Sequence, residues 1–506
     1  MRGKRFVIVF VVDGLRPDAI TVEDTPTLFR LRTEGVDFAN SHAVFPTVTR
    51  VNAAALSTGT QPGTNGILGN QMYVPAVDPR RAFDTGDYRN LLRLDQATRG
   101  RLLLAPTLAE RLHARGLRLA GVSSGSTGSA FLLNPRAPAG IGVLVNGYLD
   151  PGKTVAYPPE LSETILAKFG PAPVKEAGAS RFDASVAWTQ RVLREYVLPE
   201  IAPAVVINWL TEPDHSQHHL GVRSPSAREA LGNDDREIAR VLATLDDLGL
   251  TASTDVLIVS DHGFSTNTAG VNVARALIDA GLKVSPDSGD VVLASSGQAV
   301  ALYVEGHDGE RIGRIARFVY SQEWGGVVFA AGRVPGDPRG AVEGTFSLEL
   351  IHAANAERGP DLLFTFPWSS GANAFGVPGT DLANVSGGAK LYASDHGSMS
   401  PWNVRNTFLG WGVDWKKRAT VRAPAGNVDV TPTILALLGI EADGSSAEDG
   451  RLDGRVLTEA LEGEADPEQV AVDTRVHTVE AGAYRAAIQV SEVDGRRYVD
   501  KSWPIG

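Results

Sequence analysis

Three apolar runs in this chain stop at carboxylates. The run FVIVFVV, from Phe6 to Val12, leads straight into Asp13; AVVINWL is followed by Asp214, four residues beyond Leu210; DVLIVS closes on Asp261. A carboxylate at the end of a buried strand is costly unless a metal, a basic partner or water satisfies it. Histidines accompany two of the three. In EPDHSQHHLG, Asp214 and His218 are four apart and share one face of a helical turn. In SDHGF, Asp261 and His262 are adjacent, and both can reach one ion where the chain turns sharply. A second Asp-His-Gly, in SDHGS, offers His396. Carboxylate plus neutral imidazole suits zinc. Each short motif also recurs by chance, as a surface turn or a strand-end Asp paired with His. Two copies of Asp-His-Gly in a chain with only ten His shift the weight toward metal.

A nucleophile is harder to find. In FPTVTRVNAAALSTGT, Thr49 stands at the expected start of an Ala-rich helix. Thr is a common helix N-cap, which alone would explain it. The chemical reading is that a helix N-terminus and a nearby metal lower the hydroxyl pKa. A phosphoryl group would then sit where backbone N–H groups point outward. The chain has no Gly-x-Ser-x-Gly and no phosphate-binding P-loop. It also has no Cys, which excludes thiolate nucleophiles and Cys-based zinc sites, so any metal must be held by His, Asp or Glu.

The elements that must position these residues read as α/β. Strand Phe6–Val12 is followed by a helix near Thr25–Glu34, and TLAERLHARGLRLAGVSS reads as helix, Gly stop at Gly116, then strand. Continuous rather than alternating apolar runs suit a largely parallel, doubly wound sheet covered by helices on both faces. In such sheets ligands sit at the carboxyl ends of strands, so Asp13, Asp214 and Asp261 could converge on one edge. The texture changes after Gly263. VNVARALIDAGLKV and ERIGRIARFVYS read as helices, AVALYVEG and GGVVFAAG as strands. We expect a core from 1–263 and 389–462, a smaller α+β insertion or cap over 264–388, and a tail over 463–506. NVDVTPTILALLGI reads as a capped helix returning to the core, and AAIQVSEVDGRRYVDKSW as a β-hairpin turning at Asp494-Gly495 and packing on it.

The totals narrow the partners. The chain has 506 residues, 43% of them hydrophobic, a formal net charge of −11 and no conspicuous Lys/Arg cluster. A polymeric nucleic-acid partner is not expected, because tracking phosphates needs a basic stripe. No run of eighteen apolar residues implies a membrane span. The N-terminal run lacks a small-residue cleavage site and leads into Asp13, so it reads as a core strand rather than a signal segment, and a cytoplasmic location is expected.

Taken together, the order Asp13, Thr49, Asp214/His218, Asp261/His262, His396 resembles the alkaline phosphatase superfamily. Within it the chain looks most like the nucleotide pyrophosphatase/phosphodiesterases (type I phosphodiesterases). The matching text is VVDGLRPD, FPTVTRVN…STGTQPGTNGILGN, EPDHSQHHLG, IVSDHGF, DHGS and VDVTPTILALLGI, over roughly Val7–Asn70, Val205–Gly263 and Ala389–Ile440. The resemblance implies an alkaline phosphatase-like core and two zinc ions bridged by the phosphoryl group, with manganese or iron compatible with the same donors. Asp13, Thr49, Asp261 and His262 would hold one ion, and Asp214, His218 and His396 the other. Thr49 would form a phospho-threonine intermediate, and the Asn70 amide would bind a phosphoryl oxygen. Three carboxylates and a Thr49 alkoxide would balance two divalent ions, which suits a monoanionic diester better than a dianionic monoester.

The departures from that pattern bear on substrate. Arg50 stands where the family's diesterases usually carry an aromatic residue beside the nucleophile; Arg can stack on a base or bind a second phosphate. Trp209 occupies the place of the opposite aromatic wall, and would either stack on a base or belong to the core. Gln217 replaces the Gly that usually precedes the second-zinc His. The stretch VSSGSTGSAFLLN lacks the basic pair of related monoesterases and phosphonoacetate hydrolases, and no Cys/Ser-x-Pro-x-Arg sulfatase motif occurs at Thr49. The expected activity is hydrolysis of a small phosphodiester or pyrophosphate, with a phosphomonoesterase or phosphonate hydrolase as the alternative.

Overall fold

The computed structural model describes residues 5–147, 155–174, 180–441 and 450–505. A nine-stranded sheet forms its centre, in the order Ala419–Val421, Val36–Phe38, Phe408–Gly412, Thr254–Val259, Phe6–Val12, Val205–Leu210, Leu119–Ser123, Val143–Asn146, Ala156–Tyr157. The five strands from Thr254–Val259 to Val143–Asn146 run parallel. Antiparallel partners flank them: Phe408–Gly412 on one side and Ala156–Tyr157 on the other. This is the expected largely parallel, doubly wound sheet.

The first strand shows why its sequence is apolar throughout. Phe6, Ile8, Phe10 and Val12 pack on one face with Leu28, Ile238 and Val241, from helices Pro26–Glu34 and Pro225–Asp247. Val7, Val9 and Val11 pack on the other with Val51, Ala54 and Ile434, from helices Thr49–Thr58 and Val430–Leu437. A strand buried on both faces cannot alternate with polar residues. Each fully buried aliphatic or aromatic side chain there contributes roughly 1.5–3 kcal/mol.

Between Gly263 and His396 lie two further sheets. One has five strands, in the order Val291–Ser296, Ala299–Val304, Leu362–Thr365, Val328–Ala330, Phe346–Ser347. Helices Val273–Asp279 and Gly309–Tyr320 cover one face of it, burying Leu277, Ile315 and Val319 against Val300 and Phe364. The other, of four strands, pairs Ser265–Val271 with Pro378–Asn384 and with Ser394–Asp395. That last pairing carries the chain back to the centre of the molecule just before His396.

The C-terminus differs from a plain hairpin. The hairpin Tyr484–Val493/Arg496–Pro504 forms, turning at Asp494 and Gly495 with φ of 50° and 71°, as a tight two-residue hairpin turn requires. Strand Asp473–Ala481 adds a third strand to it. Its apolar face, with Ala486, Ile488 and Val490, packs against Phe329 and Phe346 of the five-stranded sheet as well as Phe45 and Met399. Alternating apolar residues in Asp473–Ala481 are few, because most of its side chains are exposed, and this hid the strand from a pattern-based reading. Among the described residues, no helix is long and apolar enough to cross a membrane.

Candidate active site

The site is built at the carboxyl ends of adjacent parallel strands. Asp13 directly follows Phe6–Val12, Asp261 lies two residues past Thr254–Val259, and Asp214 opens helix Asp214–Leu220 beyond Val205–Leu210. His218 stands one turn further along that helix. His262 follows Asp261 directly, and the Ser394–Asp395 pairing with Ser265–Thr266 sets His396 beside it. The two imidazole rings stack with centroids 3.6 Å apart.

Asp13 and Asp261 are each anchored through one oxygen. The Trp209 indole N–H donates to Asp13 Oδ2 at 2.9 Å, and the Gly14 backbone N–H donates to Asp261 Oδ1 at 3.0 Å. Their other oxygens, and Asp214 Oδ1, are buried and accept no hydrogen bond among the described residues. These three oxygens face one nitrogen. His262 Nε2 lies 3.0 Å from Asp261 Oδ2, 3.6 Å from Asp13 Oδ1 and 3.9 Å from Asp214 Oδ1. Asp214 Oδ1 also lies 3.5 Å from both His218 Nε2 and His396 Nε2.

The imidazoles are anchored through their opposite nitrogens. Nδ1 of His262, His218 and His396 each lies 3.0 Å from a carbonyl oxygen, of Gly263, Ser394 and Thr47 respectively. A carbonyl only accepts, so each Nδ1 carries a hydrogen and each Nε2 is the atom turned toward the carboxylates. Anchoring the remote ring nitrogen in this way orients metal-ligating histidines.

Carboxylate oxygens crowded together around three imidazole nitrogens call for positive charge among them, and the ionisation pattern reflects this. Burial, with Asp261 and Asp214 nearby, pushes the Asp13 carboxyl well above its usual range. Burial opposes ionisation of Asp214 as well, but His218, His396 and His262 hold its pKa below the usual value. His218 is raised to about 9, against its burial, by Asp214. His262 is raised, against its burial, by Asp261. His396 is pushed well down by burial and by His262. The cluster needs positive charge that protons alone supply unevenly. Its donor atoms fit a divalent cation: those of Asp13, Asp261 and His262 lie within 4.8 Å of one another, as do those of Asp214, His262 and His396.

Asp395 stands outside the expected ligand set, although with His218 and His396 it forms a third compact group. Its Oδ1 accepts from the His396 backbone N–H at 2.9 Å and faces the anchored Nδ1 of His218 at 3.8 Å. It thus holds the His396 backbone, stands behind the His218 ring and also lines the cavity beside the cluster. The only signal for it in the sequence is its adjacency to His396. Gln217 has a role of its own: its side-chain N–H donates to the Gly14 carbonyl at 3.0 Å, tying the 214–220 helix to the turn after Asp13. Arg16 braces the same turn from below, donating to the carbonyls of Phe264 and Pro378 at 2.9 and 2.8 Å.

Thr49 borders the cluster, with Oγ1 3.3 Å from His262 Nε2. It is the first residue of helix Thr49–Thr58 and not its cap; Val48 holds that position with extended backbone and no capping side chain. The first N–H groups are thus left for other partners, and the Arg50 N–H donates to Asn70 Oδ1 at 3.2 Å. That bond fixes the Asn70 amide with its NH₂ end unused by Arg50. Thr49, Arg50, Asn70, Asp214, His218 and His396 line one cavity of about 720 Å³.

Trp209 requires a correction. It is fully buried, and its N–H is committed to Asp13. It does not line the cavity and offers no face to a base. The loop after Leu119–Ser123 covers it so closely that a Cβ added at Gly125 would lie 3.2 Å from the indole Cδ1. Arg50 does line the cavity, and its guanidinium reaches Asp84 at 3.4 Å.

A doubly wound sheet with clustered carboxylates and imidazoles at its carboxyl edge defines an alkaline phosphatase-like protein. The model of the type I phosphodiesterase / nucleotide pyrophosphatase family matches residues 7–323, and the chain belongs to that family. The match runs past Gly263 into the region that motif likeness alone left uncovered. Ectonucleotide pyrophosphatase/phosphodiesterase family member 1 of Mus musculus is 25% identical over 258 residues, 51% of this chain and 24% of its own length. The venom phosphodiesterase of Naja atra is 33% identical over 86 residues, 17% of this chain and 10% of its own. The alignable stretch thus spans about a quarter or less of the relatives' lengths.

Proposed function

We propose that this chain is a two-zinc hydrolase that cleaves small phosphodiesters or pyrophosphates through a phospho-threonine intermediate on Thr49, with manganese or iron as alternative metals. The observation that carries this reading is the convergence of three half-anchored or unpartnered carboxylates and three Nδ1-anchored imidazoles beside Thr49 Oγ1, 3.3 Å from His262 Nε2. The family supports the reaction class, as do relatives named for phosphodiesterase activity.

Asp13, Asp261 and His262 would hold one cation near Thr49; Asp214, His218 and His396 would hold the second. Divalent cations bound there lower the pKa of a nearby hydroxyl and offset charge on phosphoryl oxygens. Thr49 Oγ1 forms a bond to phosphorus as the ester oxygen departs, and water then breaks the threonine–phosphorus bond. Asn70 donates an amide N–H to a phosphoryl oxygen, since its Oδ1 is occupied by the Arg50 N–H. The Thr49 backbone and the first turn of its helix add a favourable dipole for the phosphoryl charge.

The test compares bis-p-nitrophenyl phosphate with p-nitrophenyl phosphate in one metal-loaded preparation. A higher kcat/KM for the diester, abolished by chelation and restored by zinc, is expected. A clear preference for the monoester would favour the phosphomonoesterase alternative instead.

A further inference from the structure

We propose that Arg50, helped by Arg80 of the same cavity lining, selects a substrate whose retained ester group carries a second negative charge, a phosphate or a carboxylate, in place of an aromatic base. The inference rests on the phosphodiesterase reading and concerns the group that stays on phosphorus after the first step.

The cavity offers no pair of Phe, Tyr or Trp walls among the described residues. Trp209 lies sealed beneath the loop at Gly125. Tyr392 is the one Phe, Tyr or Trp among the described residues lining the cavity; its ring lies 5.0 Å from that of His218, and the Lys390 ammonium lies 5.4 Å from its centroid. No other Phe, Tyr or Trp among the described residues lines the cavity, so a planar base finds no slot between two such rings.

Charge recognition is open. Arg50 follows the nucleophile directly, and its backbone is pinned by Asn70, so the guanidinium's origin is fixed relative to the phosphoryl site. Among the described residues only its Nη2 makes a side-chain hydrogen bond, to Asp84. Its ion pair with Asp84 is long, at 3.4 Å, and the same Asp84 oxygen already accepts from the Gly86 N–H at 2.8 Å. Asp84 is itself 58% exposed, so water screens its hold on Arg50. A guanidinium with unused donors is suited to a two-pronged grip on phosphate or carboxylate. Arg80 lines the same cavity and its guanidinium makes no ion pair among the described residues. Lys283, by contrast, is spent: its ammonium donates to the carbonyls of Ser288 and Val291, each at 2.7 Å.

The test uses four p-nitrophenyl phosphodiesters that differ only in the retained group: butyl, 3-carboxypropyl, 2-phosphoethyl and 5′-thymidyl. In the wild-type protein at low salt, one or both charged esters should exceed the butyl ester in kcat/KM by about tenfold or more, the size of a charge-assisted contact. The more favoured of the two identifies the acid. The preference should shrink in high salt, fall to within about twofold in Arg50→Met, survive in part in Arg50→Lys and weaken in Arg80→Met. Equal rates for charged and butyl esters in the wild type would overturn the inference. So would an unchanged ratio in Arg50→Met, or the thymidyl ester outrunning both charged ones. Failure to cleave any of the four would instead sink the phosphodiesterase reading, and this inference with it.

Discussion

The Trp209 indole N–H donates to Asp13 Oδ2 at 2.9 Å, which leaves Asp13 Oδ1 facing His262 Nε2 at 3.6 Å. A residue whose place in the chain suggested a substrate wall instead aims a carboxylate into the cluster. Removing such an anchor typically costs metal affinity by about 10- to 100-fold. Trp209→Phe should therefore lower zinc affinity by that order, measured by chelator competition, while far-UV circular dichroism stays native. Unchanged affinity would show that Asp13 needs no such anchor.

Thr49→Ala should abolish diester turnover while metal content stays near that of the wild type, because the metal ligands other than Thr49 remain. Thr49→Ser should keep measurable turnover. Full activity in Thr49→Ala would show that another group attacks phosphorus.

Asn70 holds its amide through the Arg50 N–H. Asn70→Ala removes one hydrogen-bond donor to the phosphoryl group and should reduce kcat/KM by about 10²-fold, with metal content unaffected. A change of under threefold would remove Asn70 from the mechanism.

Asp255 gives a stability prediction away from the site. It is buried near the start of strand Thr254–Val259; burial raises its carboxyl to about 6, despite a hydrogen bond from the Asp414 N–H. Asp414 and Arg5 are the charged groups beside it. A raised carboxyl pKa means the folded state binds more protons than the unfolded one. Its contribution to stability is therefore complete below pH about 4 and lost as pH rises through about 6. The loss is at most about 3 kcal/mol. The difference in Tm between wild type and Asp255→Asn, followed from pH 4 to pH 7, should shift in favour of the variant as pH rises. A flat difference would contradict the shift.

The strands that end in Asp13, Asp214 and Asp261 were legible because burial on both faces demands unbroken apolar runs, and such runs are visible without any structure. The parallel class followed from the same feature. The hydrogen bonds that orient the cluster were not legible. The Trp209 anchor, the three carbonyls under the histidines, and Asp395 behind His218 depend on how distant segments meet. No local pattern encodes that Ser394–Asp395 pairs with Ser265–Thr266 and delivers His396. The start of the Thr49 helix misled in a smaller way. Thr49 looked like a cap by residue preference, yet Val48 takes that place and Asn70, twenty residues on, receives the N–H of Arg50.

The account stands on the cluster being a two-cation centre beside Thr49. Crystals of zinc-loaded protein, with anomalous diffraction recorded on both sides of the zinc edge, test this most directly. The account predicts two strong anomalous peaks, one among Asp13, Asp261 and His262 and one among Asp214, His218 and His396, with Thr49 Oγ1 in contact with the first. Zinc bound elsewhere, or no peak among these residues in active protein, would contradict it.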